Sequence, residues 1–336
     1  MITDDGSVQM KILVTGSAGH LGEGLVRVLR EQHAQRHEVV GVDILQTPFT
    51  THVGSIADRA FVAGCMKGVD AVIHTATLHK PHVATHSKQA FVDTNITGTL
   101  ALLEEAVSQN VSRFIFTSTT STFGHALKPA PGSPAVWINE DVVPIPKNIY
   151  GATKLGAEHL CELFFREQKL PCLVLRTSRF FPEEDDRKAS REQFEDLNLK
   201  CNELLYRRVD LYDAVDAHLC ALERAQEIGF GRYIISATSP FSHDDLRLLI
   251  EDAPSVVRQY VDFDEVYDAR GWQMARNIGR VYVNARARRE LGWEPKVDFE
   301  TAVARLSRGE APFHPLMEKV GAKGYHTQKF EGEDGH

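Results

Sequence analysis

The chain has 336 residues, 43% hydrophobic and 25% charged, enough to bury a large core without staples. Its 38 Lys and Arg against 46 Asp and Glu leave a formal net charge of −8, which excludes a globally basic nucleic-acid binder. The 24 Gly and 14 Pro follow no period, which excludes fibrous and low-complexity architectures.

The first nine residues are acidic and polar and predict a flexible leader rather than a signal peptide. Lys11–Thr15 (KILVT) predicts a buried strand, followed by a glycine-rich turn and a helix with Leu21, Leu25, Val28 and Leu29 on one face. Further strands are predicted at Glu38–Asp43, Asp70–His74 and Arg113–Thr117, with a long helix over His86–Gln109 between the last two. Phe123–Pro146 holds five prolines and is expected to be an extended loop. A helix over Asn148–Gln168, a buried strand at Pro171–Arg176, a charged loop at Phe180–Glu192, a helix at Leu211–Gln226 and a late strand at Arg232–Ser236 complete the pattern. Alternating strands and helices predict an α/β fold, a Rossmann-type doubly wound parallel sheet with a smaller C-terminal substrate lobe. The expected division is 10–177 for the cofactor domain, with part of 205–240 returning to the sheet, and 178–318 mainly for the substrate lobe. Residues 319–336 are expected to be a flexible tail.

Cys65, Cys161, Cys172, Cys201 and Cys220 are scattered and form no C-x-x-C, so neither a zinc knuckle nor a dithiol centre is expected. Sparse cysteines and the lack of any run near ~20 apolar residues point to a cytoplasmic protein without a membrane span. His74, His79 and His82 have no third ligand at metal spacing, and Asp210, Asp213 and Asp216 read as structural; no metal is expected.

Thr15–Gly22 reads TGSAGHLG, with Gly16, Gly19 and Gly22 three apart between a strand and a helix. Such glycines allow a tight turn, a close backbone approach to a pyrophosphate, and close packing of helix on sheet. The helix N-terminus supplies N–H groups to the phosphates. Asp43, at the end of the next strand, is placed to accept both adenosine ribose hydroxyls. No Lys or Arg follows it directly, which favours NAD over NADP. Tyr150 and Lys154 are one helical turn apart and share a face. A nearby ammonium and a cationic nicotinamide favour a phenolate, so Tyr150 can exchange a proton at a substrate hydroxyl. One of the hydroxyls of Ser118–Thr122, at a strand's carboxyl end, can hydrogen-bond the reacting oxygen.

TGSAGHLG, Asp43, VIHTAT (Val72–Thr77), the Asn95–Thr99 stretch, TSTTSTFG, YGATK and RRELGWEP (Arg288–Pro295) stand in the order of the extended short-chain dehydrogenase/reductases. The chain resembles their NAD-dependent epimerase/dehydratase family over roughly residues 10–310. The resemblance implies Thr119 as the catalytic hydroxyl, Tyr150 as acid/base, Lys154 as its partner on the nicotinamide ribose, and Asn95 as a support of the site. It also implies cofactor contacts from Gly16, Ala18, Gly19, His20, Leu21, Gly22, Asp43, Ser55, Ile56, Ala76, Thr117, Tyr150, Lys154 and Thr177. Thr119 and Thr120 would touch substrate.

Some positions depart from the family. Gly54-Ser55-Ile56 stands where an Asp is usual at the adenine, and Arg179 where nucleotide-sugar members carry Asn. Only 26 residues separate Pro182 from Val209, too few for the family's usual hairpin over a sugar nucleotide. RTSRFFPEEDDR resembles uronate dehydrogenases, which implies a substrate carboxylate clamped by Arg187, with Arg179 as the competitor. A UDP- or dTDP-sugar held through Arg276 or Arg280 is the competing expectation.

The expected function is an NAD-dependent oxidoreductase acting at a carbinol carbon of a sugar-like or hydroxy-acid substrate. The alternatives are a redox-neutral epimerase or dehydratase on a nucleotide sugar, and an idle NAD-binding regulator. The resemblance also implies a homodimer through the two long helices, with Ala101, Leu102, Val107, Leu160, Leu163 and Phe164 as apolar candidates.

Overall fold

The computed structural model describes residues 9–324. Strand β1 (Met10–Thr15) leads into α1 (His20–Gln32), followed by β2 (His37–Asp43) and β3 (His52–Val53). Helix α2 (Arg59–Cys65) is started by Asp58, whose carboxylate accepts the N–H groups of Ala60 and Phe61. After β4 (Ala71–His74) come α3 (Lys88–Val92), a π turn at Asp93–Thr97 and α4 (Gly98–Ser108), in one helical run. Next are β5 (Arg113–Thr119), β6 (Val136–Ile138), α5 (Ile149–Gln168) and β7 (Cys172–Thr177). Helices α6 (Lys188–Gln193), α7 (Asp196–Glu203) and α8 (Leu211–Ile228) precede β8 (Phe230–Ile235). The rest is helical except for one strand: α9 (Leu246–Glu251), α10 (Ala253–Val257), α11 (Asp264–Asp268), β9 (Arg280–Tyr282), α12 (Ala285–Leu291), α13 (Phe299–Ser307) and α14 (Leu316–Val320).

Seven parallel strands form one sheet in the order β3-β2-β1-β4-β5-β7-β8, a Rossmann-type doubly wound sheet. Strand side chains alternate, and both faces are covered. Ile12 and Val14 pack with α1 and α8, while Leu13 packs with α2 and α4 on the other face. The chain order reverses between β1 and β4, which opens a crevice at their carboxyl ends.

A second core holds Leu204, Leu205, Val256, Phe263, Val281 and Phe299. It is roofed by a parallel pair, β6 with β9, in the register Val136↔Arg280 to Ile138↔Tyr282. The proline-rich stretch is thus more than a loop: Ala135 and Trp137 belong to this core. The expected helix over His86–Gln109 starts at Lys88 and is interrupted by the π turn. Strand β3 and helix α2 were not foreseen, and β8 starts two residues early, at Phe230. Residues 1–8 of the expected leader and 325–336 of the expected tail lie outside the described residues. Within 319–324 the expectation of looseness fails: α14 reaches Val320 and Lys323 is hydrogen-bonded. Of the apolar candidates on the long helices, Ala101 and Leu102 face the core. Val107, Leu160, Leu163 and Phe164 stay half-buried. No helix among the described residues is long and apolar enough to cross a membrane.

Asp213 joins the two cores. Its carboxylate accepts the N–H groups of Lys296 and Val297, each at 2.9 Å, and its carbonyl accepts Trp293 Nε1–H at 3.0 Å. Asp213→Ala strands the two N–H donors, Val297 N in the interior, and should cost about 1–3 kcal/mol. Urea unfolding reads this as a lower midpoint; an unchanged midpoint would refute the role.

Candidate active site

The glycine loop is shaped by contacts that admit no side chain. Gly16 has φ of +73°, and a Cβ there would lie 2.7 Å from the Ala76 nitrogen. A Cβ on Gly22 would lie 1.9 Å from the Gly16 carbonyl oxygen. Helix α1 therefore begins hard against the turn, and its first residues His20, Leu21 and Gly22 line a cleft of about 690 Å³. Gly16, Gly19, Asp43, Ser55, Ile56, Ala76, Thr117 and Thr177 line the same cleft. Ala18 does not; it is buried and its N–H donates to Asp43 Oδ2 at 2.9 Å. Asp43 Oδ1 accepts the Leu45 N–H at 3.0 Å, so the carboxylate is fixed at the end of β2. The Ser55 oxygen accepts the Ala57 N–H at 3.2 Å, which leaves its hydroxyl proton to donate. A tight glycine turn, helix N–H groups and a fixed carboxylate together fit a dinucleotide.

Thr119, Thr120, Tyr150 and Lys154 line the other end of the cleft. Thr119 ends β5, and Asn148 caps α5 by accepting the Gly151 N–H at 3.0 Å. The Thr119 hydroxyl stands near enough to the Tyr150 phenol to favour its charged form. The pKa balance differs from the sequence expectation. Burial pushes the Tyr150 phenol up to about 12, against the opposing effect of the Thr119 hydroxyl. Burial pulls the Lys154 ammonium down to about 7, although Cys161 and Glu158 favour its charge. The expected effect of Lys154 on Tyr150 does not appear in the chain alone, where burial sets the direction of the shift. Lys154 Nζ lies 4.0 Å from the centroid of the Phe116 ring, a cation–π contact.

Asn95 is not on the cleft wall. It sits in the π turn, 2% exposed, and its Oδ1 accepts Thr77 Oγ1–H and Leu78 N–H, each at 2.9 Å. Its Nδ2 donates to the Leu78 carbonyl and to Thr153 Oγ1, each at 3.0 Å. It ties the segment after β4 to α5. His74, buried between Thr15 Oγ1 (2.8 Å) and Thr99 Oγ1 (2.9 Å), is structural.

Of the expected substrate arginines, Arg179 is spent on its own loop. It donates to the Glu184 carbonyl at 2.9 Å and lies within 3.9 Å of Asp185, Asp186 and Glu203. Arg207, which the sequence did not single out, pairs with Asp185 at 2.6 Å. Arg187 lines the cleft edge and is exposed. Arg280 also lines the cleft, between the rings of Tyr206 (5.9 Å) and Tyr282 (5.7 Å). Its Nε is buried without a hydrogen-bond partner. Among the described residues neither Arg187 nor Arg280 has a carboxylate partner within ion-pair distance, and no cluster of three or more His, Cys, Asp or Glu side chains could hold a metal.

The doubly wound sheet, the glycine loop at its switch point and the Tyr-Lys helix beside it define a dinucleotide-dependent α/β enzyme of the extended short-chain dehydrogenase/reductase type. The model of the NAD dependent epimerase/dehydratase family matches residues 12–235, and the chain belongs to this family, with NAD as its cofactor. It is 28% identical to the dTDP-glucose 4,6-dehydratase of Mycolicibacterium smegmatis over 94% of this chain and 98% of that one. It is 30% identical to the dTDP-D-glucose 4,6-dehydratase of Dictyostelium discoideum, over 53% of this chain and 45% of that protein. The chain spans about half the length of several such curated relatives. Its fold is similar to that of a UDP-glucuronic acid 4-epimerase from Bacillus cereus, with a TM-score of 0.61, 22% identity, and coverage of 93% and 99% of the two chains.

Tyr150→Phe removes one oxygen and should lower turnover about 10²–10⁴-fold while leaving NAD affinity nearly unchanged. Steady-state rates with NAD titrated by protein fluorescence check both; near-wild-type turnover would remove Tyr150 from the chemistry.

Proposed function

We propose that the protein is an NAD-dependent oxidoreductase that acts at a carbinol carbon of a small, anionic sugar-like or hydroxy-acid substrate. The carrying observation is that Thr119, Tyr150 and Lys154 line the same cleft as the glycine loop. NAD supplies the hydride acceptor and, when oxidised, a positive charge that favours the phenolate. Thr119 orients the substrate hydroxyl. Tyr150 takes its proton, and Lys154 balances the charge that develops on Tyr150. Asp43 receives the ribose hydroxyls and disfavours a 2′-phosphate, so NAD is preferred to NADP.

Charge supports the substrate class. Arg280 offers a half-buried guanidinium without an acid beside it, and Arg187 offers a second, exposed one. The assignment of the anion thereby moves from Arg187, with Arg179 as its competitor, to Arg280, with Arg187 at the rim. The region around the second core serves as the substrate side, and the protein is read as cytoplasmic. A C₂ homodimer through Val107, Leu160, Leu163 and Phe164 completes the reading; light scattering at micromolar concentration should give twice the chain mass, and a monomer mass would refute it.

A second reading is favoured by the relatives: redox-neutral epimerisation or dehydration of a nucleotide sugar, with Arg280 on its diphosphate.

Absorbance of NADH separates the two. The first reading expects one NADH per substrate oxidised and a KM raised about 10–100-fold by Arg280→Ala, from loss of a charge-assisted hydrogen bond. Arg187→Ala should act less, because its charge is screened by water. Tight binding of free UDP, lost in Arg280→Ala, with no net NADH, would overturn the first reading in favour of the second.

A further inference from the structure

Glu183 follows β7, on the loop that carries Arg187 to the cleft edge. Its side chain is 9% exposed. One oxygen, Oε1, accepts two hydrogen bonds from distant parts of the chain: from His20 Nε2 at 2.8 Å and from the Lys323 N–H at 2.8 Å. Burial alone would raise this carboxyl. The His20 hydrogen bond and charge, together with the Lys323 N–H, outweigh burial and hold it at about 2, so it is ionised at neutral pH.

The partners matter as much as the bond lengths. His20 is the first residue of α1 and part of the glycine loop; its ring is buried, edge-on to Phe181 at 5.2 Å. The Lys323 ammonium pairs with Glu23, in the first turn of the same helix. Arg179 donates to the Glu183 and Glu184 carbonyls and so braces the loop from behind. Just upstream, Leu316 of α14 packs against α1, where a Cβ on Gly24 would lie 3.6 Å from it. One carboxylate therefore connects the phosphate-facing helix start, the loop at the substrate end and residues 321–324.

We propose that Glu183 is a positioning residue that makes these segments order together, so that NAD binding and the seating of residues 321–324 strengthen each other. The inference takes NAD at the glycine loop as given. A helix start held in its binding geometry loses less freedom when the dinucleotide arrives. Coupling of this kind is reciprocal: whatever factor the latch adds to NAD affinity, NAD adds to the latch.

Lys323 is itself a trypsin site, so the full chain reports its own latch. Cleavage after Lys323 is followed by intact mass with and without saturating NAD, and NAD affinity is measured by calorimetry. In the wild type, NAD should slow that cleavage at least about 5-fold. Glu183→Gln should lose the protection and weaken NAD by a similar factor. Lys323→Ala keeps the backbone donor and should weaken NAD less than Lys323→Pro, which removes the N–H. The Lys323→Pro comparison carries the test if Glu183→Gln does not fold. A merely structural Glu183 would lower the melting temperature without moving either readout. Wild-type cleavage indifferent to NAD, or wild-type NAD affinity in both Glu183→Gln and Lys323→Pro, would overturn the proposal. No NAD binding by the wild type would overturn the cofactor assignment as well.

Discussion

A fully buried carboxylate, Glu158, governs how α5 lies on the sheet. It accepts Ser118 Oγ–H at 2.6 Å from β5, Arg176 Nη2–H at 2.8 Å from β7, and Arg232 Nε–H at 3.3 Å from β8. Breaking a buried pair of this kind ordinarily costs about 3–5 kcal/mol, because it leaves a charge stranded. Helix α5 therefore cannot turn about its axis without stranding Arg176. Tyr150, Lys154 and Glu158 recur every fourth residue, so the rotation that suits Glu158 also carries Lys154 and Tyr150 to the sheet's carboxyl edge. The same contact sets the next residue along β5, Thr119, beside the phenol. The geometry of the candidate site follows from an ion pair that touches no ligand.

Burial is the other side of this arrangement. The face that anchors α5 is dry, and dryness makes Tyr150 and Lys154 resist their charged forms. The chain holds the groups in place and, unliganded, favours their neutral forms.

The parts legible in the sequence are those written locally. The apolar runs of β1, β4, β5 and β7, the glycines after β1, Asp43 at the end of β2 and the Tyr150–Lys154 spacing each carry their meaning within a few residues. The two-residue strand β3 has exposed side chains and no apolar signal, so it could not be seen. Strand β6 was hidden because its partner β9 lies some 140 residues away and its flanking prolines read as loop. The π turn has no composition of its own, which is why Asn95 was placed in a plain helix and near the chemistry. The arginines show the limit most clearly. Arg179, Arg187, Arg207 and Arg280 are alike as letters; which of them is neutralised depends on where Asp185, Asp186 and Glu203 fold, and only the three-dimensional neighbourhood distinguishes Arg280.

That neighbourhood has a long-range consequence. The chain as a whole carries a formal charge of −8, while its cleft is lined by Arg187, Arg280 and Lys128, with Asp43 and Asp186 as its acids. Acid in excess elsewhere and basic side chains at the cleft favour the approach of anions there. Ligands are guided before they touch, from a distance set by the ionic atmosphere, ~8 Å at physiological salt. The approach is thereby directional: the excess of acid elsewhere turns anions toward this cleft.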